Sequence, residues 1–99
     1  MVIVAGRIPI NSALRDQAVT AFLKMAAATK PEQGCIQYDF YADLADENMM
    51  HVYEEWTSQE DLDAHMKTPH MTEFREIFPK LLGGETAFSV HTTLDKPIV

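Results

Sequence analysis

Glu54-Glu55-Trp56-Thr57-Ser58-Gln59-Glu60-Asp61-Leu62-Asp63-Ala64-His65-Met66-Lys67-Thr68-Pro69-His70-Met71 carries the end of a strand, a capped helix and the start of another helix in one run. The strand ends at Trp56, and two caps compete to open the helix. Thr57 with Glu60 has capping-box spacing, and Ser58 with Asp61 repeats it one residue later with the shorter acid. Leu62, His65 and Met66, at i, i+3 and i+4, form the inward face. Pro69 interrupts, because the residue before a proline avoids helical backbone. A second stripe follows in His70, Phe74, Ile77, Phe78 and Leu81, with Pro79 expected to end or kink it and Gly83-Gly84 to close it.

Working outward, Met49 to Trp56 alternates as a strand and pairs as a hairpin with Cys35 to Tyr41 across the acidic turn Ala42 to Asn48. In that partner strand Ile36, Tyr38 and Phe40 share one face, and Gln37 and Asp39 the other. Residues 2–8 read as a first strand. Asn11 and Ser12 offer an N-cap to a helix reaching about Thr29, whose stripe is Leu14, Ala18, Phe22 and Met25, with Val19 alongside. Glu85 to Thr93 reads as the last strand. The order is βαββαβ, an α+β ferredoxin-like arrangement, in a single domain over 1–99 with its core at about 2–93 and a tail at 94–99. Helices on one face leave Ile3, Ala5, Cys35, Tyr41, Met49 and Tyr53 on the other. An uncovered apolar sheet face marks an interface, so a homodimer with sheets packed face to face is expected, with His51 and His91 within that interface.

The 99 residues suffice for one modest core. A net charge of −7, with acids gathered at 39–47 and 54–63, supplies none of the phosphate attraction that nucleic-acid binding needs and repels anionic membrane surfaces. No apolar run reaches the roughly 20 residues of a membrane span. The apolar start lacks a basic leader and reads as a strand, and the single cysteine, Cys35, forms no internal disulfide. Cytoplasm is the expected compartment.

Strand parity puts Glu54 with Met50, Val52 and Trp56. If that face meets the helices, Glu54 is a carboxylate in an apolar core, its pKa raised by desolvation and its charge costly unless paired or used. His65 faces the same space, and a carboxylate that orients an imidazole sets the tautomer of a general base. Glu54 and His65 are therefore the expected catalytic pair. Trp56, Tyr38, Phe74 and Phe78 are expected to enclose a small aromatic molecule, with His70 at its edge. Metal-binding spacing is missing. His65 and His70 lie five apart with a proline between them, and there is no HExxH, no paired-cysteine motif and no glycine-rich phosphate loop.

Pro31-Glu32-Gln33-Gly34-Cys35-Ile36-Gln37-Tyr38 and Tyr53-Glu54-Glu55-Trp56 through Ala64-His65-Met66-Lys67-Thr68-Pro69-His70-Met71 resemble the antibiotic biosynthesis monooxygenase (ABM) superfamily of small dimeric α+β barrels, over about Val2 to Thr93. The resemblance implies a pocket between sheet and helices, and oxidation of a quinol or related hydroxylated aromatic by O2 with no metal or flavin cofactor. On that reading His65 or Glu54 takes the phenolic proton, and His70 or Trp56 donates to the oxyanion. One departure is Val52, which stands where anthrone oxygenases of the group carry an asparagine four residues before the tryptophan. Haem-degrading relatives use an Asn/Trp/His set for which this sequence offers no matching asparagine. Two alternatives remain. An isomerase of a small phosphorylated signal molecule, of the autoinducer-2 processing type, would place basic residues such as Lys67 and Arg75 at the pocket mouth. A non-catalytic dimeric binding module would have a filled core.

Overall fold

The third strand is the central pairing element. In the computed structural model, which describes residues 1–94 of the chain, β1 (Val2–Pro9), α1 (Arg15–Thr29), β2 (Cys35–Ala42), β3 (Met49–Trp56), α2 (Gln59–His65), α3 (Pro69–Leu81) and β4 (Ala87–Thr92) follow in order. The antiparallel sheet runs β2-β3-β1-β4, and the fold is ferredoxin-like. Because β3 pairs on both edges, its register is held twice. Glu54 lies opposite Val4 on one side and Tyr38 on the other, and Val52 opposite Gly6 and Phe40. Met50, Val52, Glu54 and Trp56 are all buried, while Met49, His51, Tyr53 and Glu55 are half-buried on the outer face.

Local chemistry sets the helix ends. Asn11 Oδ1 accepts the Ala13 N–H at 3.0 Å and opens a 3₁₀ turn, Ser12–Leu14, that runs into α1. Ala18, Phe22 and Met25 are buried against the sheet, with Phe22 stacked on Phe40 at 4.5 Å between centroids. Leu14 and Val19 are half-buried at the margin. Of the two caps available to α2, Ser58 is the one used: its Oγ accepts the Asp61 N–H at 3.2 Å. Thr68 caps α3, accepting from Met71 N–H, and Pro69 stands in the first turn, where its missing donor costs nothing.

Three expectations about these elements are corrected. A bulge between Cys35 and Gln37 throws Ile36 off the Tyr38–Phe40 face and leaves it 55% exposed. Pro79 does not end α3, which continues to Leu81. Met66 lies just past the end of α2 and is partly exposed, yet it still lines the space between sheet and helices as expected. The last strand is also shorter than expected, starting at Ala87, and most of the tail lies outside the described residues. Among the described residues no helix is long and apolar enough to cross a membrane.

Gly34 ties β2 to α2. Its φ is +81°, a left-handed conformation open mainly to glycine, and a Cβ there would run into the Asp61 side chain. Its carbonyl accepts from both the N–H and the hydroxyl of Thr57, at 2.8 and 3.0 Å. Gly34→Ala is expected to lower stability by about 1–3 kcal/mol. Urea denaturation checks this, and an unshifted midpoint would contradict it.

Candidate active site

Between sheet and helices lies a cavity of about 430 Å³, within the size range of small-molecule sites. Its floor is the inner sheet face: Val4 and Ile8 from β1, Tyr38 and Phe40 from β2, Val52 and Glu54 from β3. The roof is Leu62 and His65 from α2 and Met71, Phe74 and Phe78 from α3. Phe88 and Val90 form the β4 wall and are half-exposed, so the cavity borders solvent on that side. Gln59, Asp63 and Arg75 supply the polar rim. Gly6 makes room for this wall, since a Cβ there would sit 2.5 Å from the Phe88 ring and 2.8 Å from Val52.

Glu54 is the polar group of the floor. It is 6% exposed, and its Oε1 accepts the Trp56 indole N–H at 2.9 Å. Its other oxygen has no hydrogen-bond partner among the described residues. Desolvation dominates the Trp56 bond, which favours the charged form, and the pKa is pushed up to about 7, with the Glu32 charge adding to the rise. Beside it, the Tyr38 phenol is held far above its ordinary range by burial first, then by the charges of Glu54 and Glu32. Tyr38 therefore stays protonated, with its hydroxyl unpartnered among the described residues.

His65 is 2% exposed, and its ring packs against Trp56 and Tyr38 with centroids at 4.9 and 5.4 Å. Its expected pairing with Glu54 is not formed. The carboxylate that orients it is Glu32, whose Oε2 accepts from Nδ1 at 2.9 Å. Burial lowers the imidazole pKa, against the opposing pull of Glu32. The neutral ring thus carries its proton on Nδ1 and leaves Nε2 as an acceptor.

Of the expected residues, Tyr38, Glu54, His65, Phe74 and Phe78 line the cavity together. Trp56 and His70 do not. Trp56 is fully buried and stands behind the lining, bonded to Glu54 and packed against Tyr38 and His65. His70 instead donates from Nε2 to Glu32 Oε2 at 2.6 Å. The sequence gives no direct signal for Glu32. Its clue is indirect: Cys35 pairs with Trp56, which brings the loop before β2 to the strand end where His65 lies. Arg75 lines the rim, whereas Lys67 does not. The Arg75 guanidinium donates to the Met66 carbonyl at 2.8 Å.

The family model described as antibiotic biosynthesis monooxygenase matches residues 1–77. The chain belongs to this family. It is 29% identical over 90 residues to the uncharacterized protein sll1783 of Synechocystis, covering 91% of this chain and 61% of that protein, so it spans less than two thirds of that relative. It is 33% identical over 72 residues to Rv0793 of Mycobacterium tuberculosis, covering 73% of this chain and 70% of the relative. The Rv0793 structure superposes with a TM-score of 0.89 at 27% identity, over 96% of each chain. A Deinococcus radiodurans structure superposes with a TM-score of 0.92 at 19% identity, over 100% of this chain and 98% of that one, and shows the shared fold.

The raised Glu54 pKa has a stability consequence. The unfolded chain releases this proton near pH 4.5, whereas the folded chain holds it to about pH 7. Folding takes up a proton between those values, so the Glu54 contribution to stability falls as pH rises through that window. Glu54→Gln keeps an oxygen for Trp56 and removes the charge. It should match the wild type at about pH 4 and exceed it by about 3 kcal/mol at about pH 8. Denaturation midpoints measured across pH test this, and a constant gap would refute it.

Proposed function

We propose that this protein is a cofactor-independent monooxygenase that oxidises a quinol or related hydroxylated aromatic with O2, working as a homodimer. The observation that carries the reading is Glu54, a buried carboxylate with one oxygen held by Trp56 and the other without a hydrogen-bond partner among the described residues, in the wall of an aromatic-lined cavity. A base with a pKa near the working pH is best placed for general-base catalysis. The rings of Tyr38, Phe40, Phe74 and Phe78 line the cavity and give it an aromatic surface suited to a flat apolar substrate. The outer sheet face, with Ile3, Ala5, Met49 and Tyr53 only half-buried, supports the dimer.

The steps balance for an aromatic with a hydroxyl conjugated to a ring C–H. Glu54 takes the hydroxyl proton, and the anion passes one electron to O2. The resulting radical and superoxide couple to a peroxide at the ring carbon. Glu54 returns its proton to the peroxide and then takes the proton of that carbon as the O–O bond breaks. One oxygen stays as a carbonyl, and the other leaves as hydroxide that departs with the proton as water. Hydrogen bonds from the protonated Tyr38 hydroxyl would favour the intermediate anions, and His65 Nε2 would accept from a second hydroxyl of the substrate. The apolar walls keep water from quenching the radical pair.

The isomerase reading gains one observation, Arg75 at the rim. Asp63 shares that rim and offsets the charge, and the rest of the wall is largely apolar, which suits an aromatic better than a phosphate. An open cavity and a half-free Glu54 argue against a filled, non-catalytic module.

O2 uptake with a reduced naphthoquinone or an anthrone should rise with pH through about 7 as Glu54 ionises, and Glu54→Gln should lower kcat by about 100-fold or more. Turnover that proceeds equally without O2 would move the protein to the isomerase class. Wild-type rates no better than those of a Glu54→Gln, His65→Ala double variant would end the oxygenase reading.

A further inference from the structure

We propose that Glu32, His65 and His70 form a binding site for a divalent transition-metal ion of the zinc class. The three come from three separate segments: the loop before β2, the last residue of α2 and the second residue of α3. Glu32 Oε2 lies 2.9 Å from His65 Nδ1 and 2.6 Å from His70 Nε2, and the three ligand atoms all fall within 4.8 Å of one another. Two imidazole nitrogens and one carboxylate oxygen form a set that zinc and its neighbours favour, whereas calcium and magnesium select oxygen alone.

The surroundings hold the set in place. Tyr38 and Trp56 fix the His65 ring, and the Thr68 cap with Pro69 starts α3 so that His70 turns back toward α2. The proline between the histidines, which spoils helical ligand spacing, is thus what lets them converge. The His70 side chain is 26% exposed, leaving that edge for the ion to enter and for water as a fourth ligand. Without metal, the same atoms are joined by two N–H···O bonds. A tetrahedral ion with bonds of roughly 2.1 Å separates its ligands by about 3.4 Å, so the two N···O pairs, now 2.9 and 2.6 Å, would widen by about 0.5–0.8 Å, and the imidazole protons would leave the ligand nitrogens. A metal on Nδ1 would shift the single proton of the neutral His65 ring to Nε2.

Titration of the intact protein with Zn²⁺, and with Co²⁺ followed by its visible absorption, is the test. One equivalent per chain should bind, with the intense visible bands of four-coordinate Co²⁺. His70→Ala and Glu32→Gln should each weaken binding by about 100-fold, beyond or at the top of the range for an outer-shell partner. His51→Ala, which removes the imidazole paired with Asp43 at 2.9 Å, should leave binding unchanged. Because His70 is partly exposed, His70→Ala should stay folded, which a thermal melt checks. No saturable binding to the wild type, or equal binding by the His70 and Glu32 variants, would overturn the assignment. No substrate enters these measurements, so failure here leaves the role of Glu54 untouched.

Discussion

The alternation of β3 between two paired neighbours is the constraint on which the rest of the molecule depends. Hydrogen bonded to β1 and β2 at once, β3 cannot slip by one residue without turning Val52, Glu54 and Trp56 outward and His51, Tyr53 and Glu55 into the core. The apolar gain from burying Val52 and Trp56, of the order of 1.5–3 kcal/mol for each large side chain, pulls the register one way. Burial of the Glu54 carboxylate pulls it the other. The apolar partners win, and the acid is carried in with them.

That compromise gives the site its chemistry. Glu54 receives one neutral donor, the Trp56 indole, which satisfies part of its hydrogen-bonding capacity without cancelling its charge. A second donor or a cation would pull the pKa back toward the ordinary carboxylate range, and no donor at all would raise the folding cost. Above it the helices do not close down on the sheet. α1 fills its side with the Phe22 and Phe40 stack, while the α2–α3 side leaves a hollow between Leu62, Phe74 and Phe78 and the strands.

The imidazole nearest this hollow takes its orientation from outside it. Glu32 holds Nδ1 of His65 and is itself held by His70, so a single carboxylate fixes one ring and ties α2, α3 and the α1–β2 loop together. Glu54 and Glu32 thus divide the work at this end of the sheet, with one acid facing the cavity and the other supporting the imidazole behind it. Their mutual repulsion contributes to the raised pKa of Glu54.

Period and punctuation alone settle the element order, the two alternating faces of β3, the stripe of α1 and the helix break at Pro69, because each follows from local backbone chemistry and from alternation over a few residues. That Glu54 shares a face with Trp56 is legible for the same reason, whereas the burial of that face is decided by the packing upon it. The partner of His65 is not. Glu32 lies 33 residues away in sequence, and only the pairing of Cys35 with Trp56 and the turn at Thr68-Pro69 bring it between the two histidines. Ile36 escapes a parity reading because a bulge changes the count, and Pro79 stays within α3 rather than ending it. The open volume of the cavity is likewise a tertiary property: it is the gap left by packing between elements, and no single element's sequence encodes it.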